Sequence, residues 1–279
     1  MKLLLISAAA AACAWGAETP DIAAIMSRVA INQAKSQDLR ENYVYSQRQL
    51  LRLVRGGGKI AREERREYVI TPKHRGVHKE LTHFDGKYES HGKYFTYDKP
   101  GYEYKNVDID GELINDMSND LTDDHNSRDG ISRDLFPLTY HQQLKYDFRL
   151  VGTETYQGKP VYRVRFEPKK REHDEDCAIW KGDALVDSEE YQPVLVTSKL
   201  AINIPAAVKI LLGTNIKGLG FTVTYKKFED GVWFPVSYGG EFDVRAVFFY
   251  KRTISISLLN SDFHKMDVTS TIAYSIEDK

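Results

Sequence analysis

From Tyr43 onward, apolar residues recur mainly at every second position, and that period constrains the fold more tightly than any other feature of the chain. A period of two sends alternate side chains to opposite faces of a β-strand, whereas a helix needs a period of 3.6. Tyr43, Tyr45, Gln47, Gln49, Leu51 and Leu53 fall on one face of a first strand. The run Gly56-Gly57-Gly58 supplies the backbone freedom of a tight turn and sends the chain back through residues 60–70. This return segment holds Arg62, Glu63, Glu64, Arg65, Arg66 and Glu67, which reads as a solvated strand whose paired charges discourage edge-to-edge association. Short strands are expected around 81–84 and 94–97, with Asp85-Gly86 as the turn between them.

The second half repeats the pattern. Tyr146, Phe148 and Leu150, a turn at Gln157-Gly158-Lys159-Pro160, and Tyr162, Val164 and Phe166 make a hairpin with one apolar face, while Arg163 and Arg165 fall on the other. Further strands are expected around 177–180, 185–186, 194–204, 221–225, 233–238, 242–250 and 254–258, and Glu229-Asp230-Gly231 turns the chain before Trp233. Two departures from the period flank this pattern. Thr19-Pro20 looks like a cap and first-turn proline, and Ile22, Ile25, Met26, Val29 and Ala30 then recur at helical spacing, so one amphipathic helix spans about 20–39. Residues 106–142 read as an insertion of two short helices, about 109–121 and 132–144, and nine Asp/Glu face two Arg between Asn106 and Leu135. About ten antiparallel strands without a repeating strand-helix unit point to an all-β barrel or strongly curved sheet, not a parallel α/β fold.

The first residues read as an address. Lys2, the apolar stretch through Ala14 and the small residues around Trp15 fit a secretory signal peptide over residues 1–17, leaving 18–279 as a single domain. The apolar run is shorter than the roughly 20 residues that a membrane span needs. Ala10-Ala11-Ala12-Cys13 is a degraded lipoprotein box, which makes Cys13 a candidate for lipidation. If Cys13 leaves with the signal, Cys177 is the one remaining thiol, so no intramolecular disulfide can form and the core must carry the fold. Lys+Arg 39 against Asp+Glu 40 leaves no global positive field to hold a nucleic acid.

Three segments of the second half form a pattern. Val151-Gly152-Thr153-Glu154 with Gly158-Lys159-Pro160-Val161-Tyr162 resembles a G-x-E-x-x-x-G-K-x-x-Y hairpin. Ile179-Trp180 through Asp187 to Pro193 resembles a W-I-D-x-x-x-x-x-P strand pair, and Asp230-Gly231-Val232-Trp233-Phe234-Pro235 resembles a dG-x-W-x-P turn. With the N-terminal helix leading into an aromatic strand, these are similar to the outer-membrane lipoprotein-sorting superfamily, which groups LolA, LolB and the RseB sensor domain. The resemblance covers most of the mature chain in architecture and residues 145–260 in motif. It implies a mainly β fold, an incomplete, half-open antiparallel β-barrel with an N-terminal helix and a short helical insertion, whose concave apolar face receives acyl chains. It also implies a location in the periplasm or at the outer membrane, a lipid or lipoprotein acyl chain as partner, and membrane-associated partner proteins. The motifs are hairpin signatures and carry no chemistry, so no functional residue transfers with them.

The residues themselves supply the site candidates. The excess of aromatics, 17 Tyr and 12 Phe, falls on alternating strand positions. Tyr43, Tyr45, Tyr162, Phe166, Phe221, Tyr225, Phe242 and Phe248 would line the concave face as ligand-binding residues if the barrel is open. The same side chains would fill a closed core, where large apolar groups normally go. Tyrosine favours the first reading, because a buried hydroxyl needs a partner or water. Ile204, Val208, Leu211 and Leu212, in an apolar run broken by Pro205, are a flap over the cavity or a short buried helix. His74 and His78 have a metal-ligand spacing only on a helix, which Pro72 and Gly76 oppose, so no metal site is expected. No nucleophile elbow, zinc-protease motif or phosphate loop occurs, and no cofactor is implied. The reading is a non-enzymatic lipid or lipoprotein carrier, with a periplasmic sensor or interaction module as the alternative and an enzyme with an unrecognised site behind both.

Overall fold

Asp21, in an extended conformation, accepts a hydrogen bond from the Ala23 amide at 3.1 Å and starts helix α1 (Ile22–Arg40). The cap is therefore Asp21 and not Thr19: an Asp carboxylate both accepts the free amide and complements the positive end of the helix. The computed structural model describes residues 20–73, 76–122, 138–169, 180–201, 214–217, 220–228, 230–246 and 250–266. The expected stripe of Ile25, Met26, Val29 and Ala30 is buried.

After α1 come β1 (Tyr43–Val54), β2 (Ile60–Pro72), β3 (Val77–Ser90) and β4 (Lys93–Tyr97), then helices α2 (Ile109–Thr122) and α3 (Tyr140–Gln143). The remaining strands are β5 (Tyr146–Tyr156), β6 (Lys159–Pro168), β7 (Trp180–Asp187), β8 (Pro193–Leu200), β9 (Thr214–Lys217), β10 (Gly220–Lys227), β11 (Trp233–Ala246) and β12 (Tyr250–Lys265). They form one antiparallel sheet in the order β4-β3-β2-β1-β12-β11-β10-β8-β7-β6-β5, with β9 paired to β11. The path begins at β4 and ends at β5, so the sheet is not closed. Helix α1 packs against both β11 and β5, five places apart in the sheet order, and α2 packs against β1 and β2. This curls the sheet around its helices, the half-open architecture that the motifs imply.

Two turns differ from expectation. Strand β3 runs straight through Asp85-Gly86, and the chain reverses at His91-Gly92, where φ is 51° and 81°. Gly86 is a strand residue because the Tyr97 ring lies where its Cβ would be. The segments around 233–238 and 242–250 are not separate strands up to Ala246 but the single strand β11. Of the two helices expected in the insertion, α2 covers 109–122, while the second is seen only as the single turn α3, since residues 123–137 lie outside the described residues.

The largest correction concerns β2. Arg62, Glu64 and Arg66 are buried at 0%, 1% and 2% exposure, and Glu63 at 3%, so the charged strand is not solvated. Its register places Arg62 opposite Leu53, Glu64 opposite Leu51 and Arg66 opposite Gln49, on the inner face of the sheet.

Candidate functional site: the inner face and the groove along α1

The inner face divides into an apolar and a charged half. On the apolar side, Phe166, Phe221, Tyr225 and Phe242 join one core cluster with Val164, Ala184, Val196 and Val223. Phe221 stacks on Tyr238 at 5.2 Å and meets Trp180 edge-on at 5.3 Å, and Phe166 meets Tyr146 edge-on at 5.8 Å. Tyr162 sits half-buried at the margin beside Tyr191, at 6.1 Å. Tyr43 is elsewhere. It belongs to a second cluster with Val232 and Phe234, and Tyr45 packs on Phe263, which borders that cluster. Between the two aromatic groups, the inner face of β1 carries the buried amides of Gln47 and Gln49. The structure thus brings four of the candidates into the main core, sets Tyr162 at its edge and separates Tyr43 and Tyr45 from it. Phe248, the flap residues Ile204, Val208, Leu211 and Leu212, and Cys13 lie outside the described residues.

The charged half is a closed network. Arg62 donates to the Tyr97 hydroxyl at 2.7 Å, to Asp108 at 2.5 Å and to the Tyr102 carbonyl. Tyr97 in turn donates to Glu64 at 2.6 Å, and Glu64 also accepts from Arg66 at 2.5 and 2.9 Å. Burial works against the charge on Arg62, yet Tyr97, Asp108 and Glu64 together hold its pKa above the ordinary value. Burial, then the neighbouring Glu64, pushes the Tyr97 hydroxyl far up, so it stays protonated and donates. Asp108 accepts from the Gly111 amide at 3.1 Å and so ties the start of α2 to β2. Asp110 repeats the tie on the other side, accepting from Tyr250 at 2.7 Å and from Arg252 at 2.9 and 3.0 Å. Beneath α2, Ser118 donates to Gln49 at 2.8 Å. This arrangement fixes a helix over a strand set.

Helix α1 is held unevenly. Its C-terminal half is bonded to the sheet: Gln33 donates to Gln192 at 2.6 Å, Gln192 donates to Ser36 at 2.8 Å, Asn32 donates to the Glu190 carbonyl at 2.7 Å, and Arg40 donates to the Trp233 carbonyl at 2.8 Å. The second and third hairpin signatures meet here. Asp187 accepts from the Glu189 and Glu190 amides, and Glu190 accepts from the Trp233 ring nitrogen at 3.0 Å and Lys227 at 2.8 Å, which shapes the turn that α1 grips. Among the described residues, the N-terminal half rests on Ile25, Met26, Val29 and Ala30, on Arg28 over the Tyr191 ring at 4.6 Å and on a hydrogen bond from Gln143 to the Met26 carbonyl at 3.0 Å.

Along that half runs an open groove of about 710 Å³, between α1, α3 and the edge strand β5. Ile22, Ile31, Leu144, Tyr146 and Phe148 give it apolar walls, and Lys169 is the cation among its lining residues. Met26, Ala30 and Tyr146 belong both to the groove and to the buried residues of the molecule. Sequence reasoning missed this site, although the helix stripe that forms one wall was legible. Among the described residues, no group of three or more His, Cys, Asp and Glu is placed to hold a metal ion. No helix there is long and apolar enough to cross a membrane.

No family model matches the chain, and no curated protein matches it. Among solved structures, a LolA superfamily protein from Nitrosomonas europaea is 10% identical, with a TM-score of 0.37 over 90% of this chain and 96% of that one. An outer membrane lipoprotein-sorting protein domain from Vibrio parahaemolyticus is 11% identical, with a TM-score of 0.33 over 88% of this chain and 93% of that one. The MucA/MucB complex of Pseudomonas aeruginosa gives 7% identity and a TM-score of 0.24 over 88% of this chain and 100% of that one. Each of these likenesses spans most of this chain.

Proposed function

We propose that this chain is an exported, non-enzymatic binding protein of the periplasm or outer-membrane surface, which holds an acyl chain of a lipid or lipoprotein between α1 and the apolar half of its sheet. The observation that carries the reading is the groove along α1: its volume lies within the range of roughly 300–1,000 Å³ typical of small-molecule sites, and the buried residues Met26, Ala30 and Tyr146 are part of its lining. Binding would come from apolar burial, at about 25 cal/mol per Å² removed from water. The uneven attachment of α1 supports a moving part. Among the described residues, lifting its N-terminal half breaks the Gln143 hydrogen bond and the Arg28 contact with Tyr191 and withdraws Ile25, Met26 and Val29 from the core, while the bonded C-terminal half serves as the hinge.

A second reading, a module that recognises a protein segment, is favoured by the place of β5 at the end of the sheet order among the described residues, beside the groove, where an extended segment could add as a strand. Uptake of N-phenyl-1-naphthylamine, which fluoresces in apolar sites, separates the two from an inert interior. Wild type should bind it, and Ala23→Trp with Ala34→Trp, both on the exposed wall of the groove, should abolish uptake at unchanged melting temperature. Wild type that takes up no probe, or a filled groove that binds as before, would remove the acyl-chain reading.

A further inference from the structure

Tyr238 stands on the inner face where the two halves meet. Its row in the sheet runs from Gln49 on β1 through Leu258 on β12 to Tyr238 on β11 and Val223 on β10. Its residue is 3% exposed, and among the described residues its hydroxyl has no hydrogen-bond partner. The nearby amides are already committed. Ser118 donates to Gln49, Gln49 donates to Gln47 at 3.0 Å, Gln47 donates to Asn260 at 3.2 Å, and Asn260 donates to the Pro235 carbonyl at 2.9 Å. The chain of bonds passes Tyr238 by. A buried hydroxyl with nothing to bond is destabilising, and such groups are few in native proteins. A phenylalanine would keep the stacking on Phe221 without that penalty, so the hydroxyl has a use that the unliganded core does not reveal.

We propose that Tyr238 is the polar anchor of the ligand site: its hydroxyl donates to the carbonyl oxygen of an acyl ester or amide whose chain lies over Phe221 and Trp180. This rests on the acyl-chain reading above and adds to it the part of the ligand that is read. Val223, Val196 and Ala184, the next residues in the row, are small apolar side chains buried beside the ring, so an acyl chain that reaches Tyr238 takes the place of contacts that now cover them. Burial keeps the phenol protonated, so it has a proton to donate to a carbonyl oxygen. An amphiphile would then lie with its carbonyl at the border with the charged half and its chain in the apolar half.

The test is Tyr238→Phe in the full chain, with N-phenyl-1-naphthylamine as reporter and monolaurin (an ester) and N-lauroylglycine (an amide) as competitors. The variant should bind the reporter, which has no carbonyl, within about twofold of wild type, and should lose about five- to tenfold in affinity for a carbonyl ligand. Loss for one competitor alone assigns the ester or the amide as the class. Without ligand, the variant should melt at or above the wild-type temperature, because an unmet hydroxyl has been removed. Equal affinity for both competitors, or a fall in the unliganded melting temperature, would overturn the assignment of Tyr238 and leave the groove reading intact. Wild type that binds neither reporter nor competitor would overturn both.

Discussion

Between β5 and β11 the inner face is made of Val164, Phe166, Ala184, Val196, Phe221 and Val223; across β1, β2 and β4 it is made of Gln47, Gln49, Arg62, Glu64, Arg66 and Tyr97. Both halves are buried to a similar degree, by different physics. Apolar contact is non-directional, so one side chain can be exchanged for a ligand's methylenes with little penalty. A buried charge must have named partners at hydrogen-bond distance, so the same exchange in the charged half would strand an ion. The difference assigns roles: α2 is fastened over a rigid half, and α1 lies over an adaptable one.

The comparison is most sharply broken by removing one member of the charged network. Asp108→Ala leaves the buried network of Arg62, Glu64 and Arg66 with one positive charge in excess and should lower stability by about 3–5 kcal/mol in urea unfolding. A loss under about 1 kcal/mol would mean that water or a rearranged Glu64 replaces the carboxylate. In the apolar half, Phe166→Leu should lower stability by about 1–2 kcal/mol, and the loss should be the same at low and high salt. Gly86→Ala is smaller in atoms but drives a methyl into the Tyr97 ring, and about 1 kcal/mol or more is expected, with the Arg62 network perturbed in the same variant.

The smallest expected effect is on pH dependence. Burial opposes the charge on Glu63, but hydrogen bonds from Arg52 and Lys87 hold its pKa below the ordinary 4.5, and Lys227 and Trp233 do the same for Glu190. A carboxylate with a depressed folded pKa stabilises the fold above the unfolded value and loses that contribution as the pH falls through the folded value. Stability should therefore decline below about pH 4.5, and Glu63→Gln should flatten part of that decline. Glu190→Gln should flatten less, because that side chain is about one-third exposed (34%). A decline of equal slope in both variants would show that other carboxylates carry the acid response.

Much of the fold was legible because it rests on local signals. The period of two located the strands, and Gly57, Gln157-Gly158 and Gly231 located three turns through their positive φ values. Asp85-Gly86 misled because a turn dipeptide reports what the backbone permits, while the ring of Tyr97 decided what the glycine was for. The charges of β2 misled for a related reason. A strand pattern shows which residues share a face and not what covers it, and here the cover arrives from far along the chain: Asp108 lies 46 residues beyond Arg62. In the site, alternation identified Phe166, Phe221, Tyr225 and Phe242 as inward, and their burial follows. It also placed Gln47 and Gln49 on the same face as Tyr43 and Tyr45, which was the available sign that the inner face is interrupted. Tyr238 carried no positional signal; only the excess of tyrosine hinted that one hydroxyl would lack a partner.

Native mass spectrometry of the protein purified from the envelope of its own cells tests the central claim, that the apolar half takes up an acyl chain. The expected result is a mass above that of the mature polypeptide, with the excess released as an acyl lipid on collisional activation and absent in the groove-filled variant with Trp at positions 23 and 34. A spectrum with the bare polypeptide mass under the gentlest conditions, and equally bare after incubation with monolaurin, would contradict it.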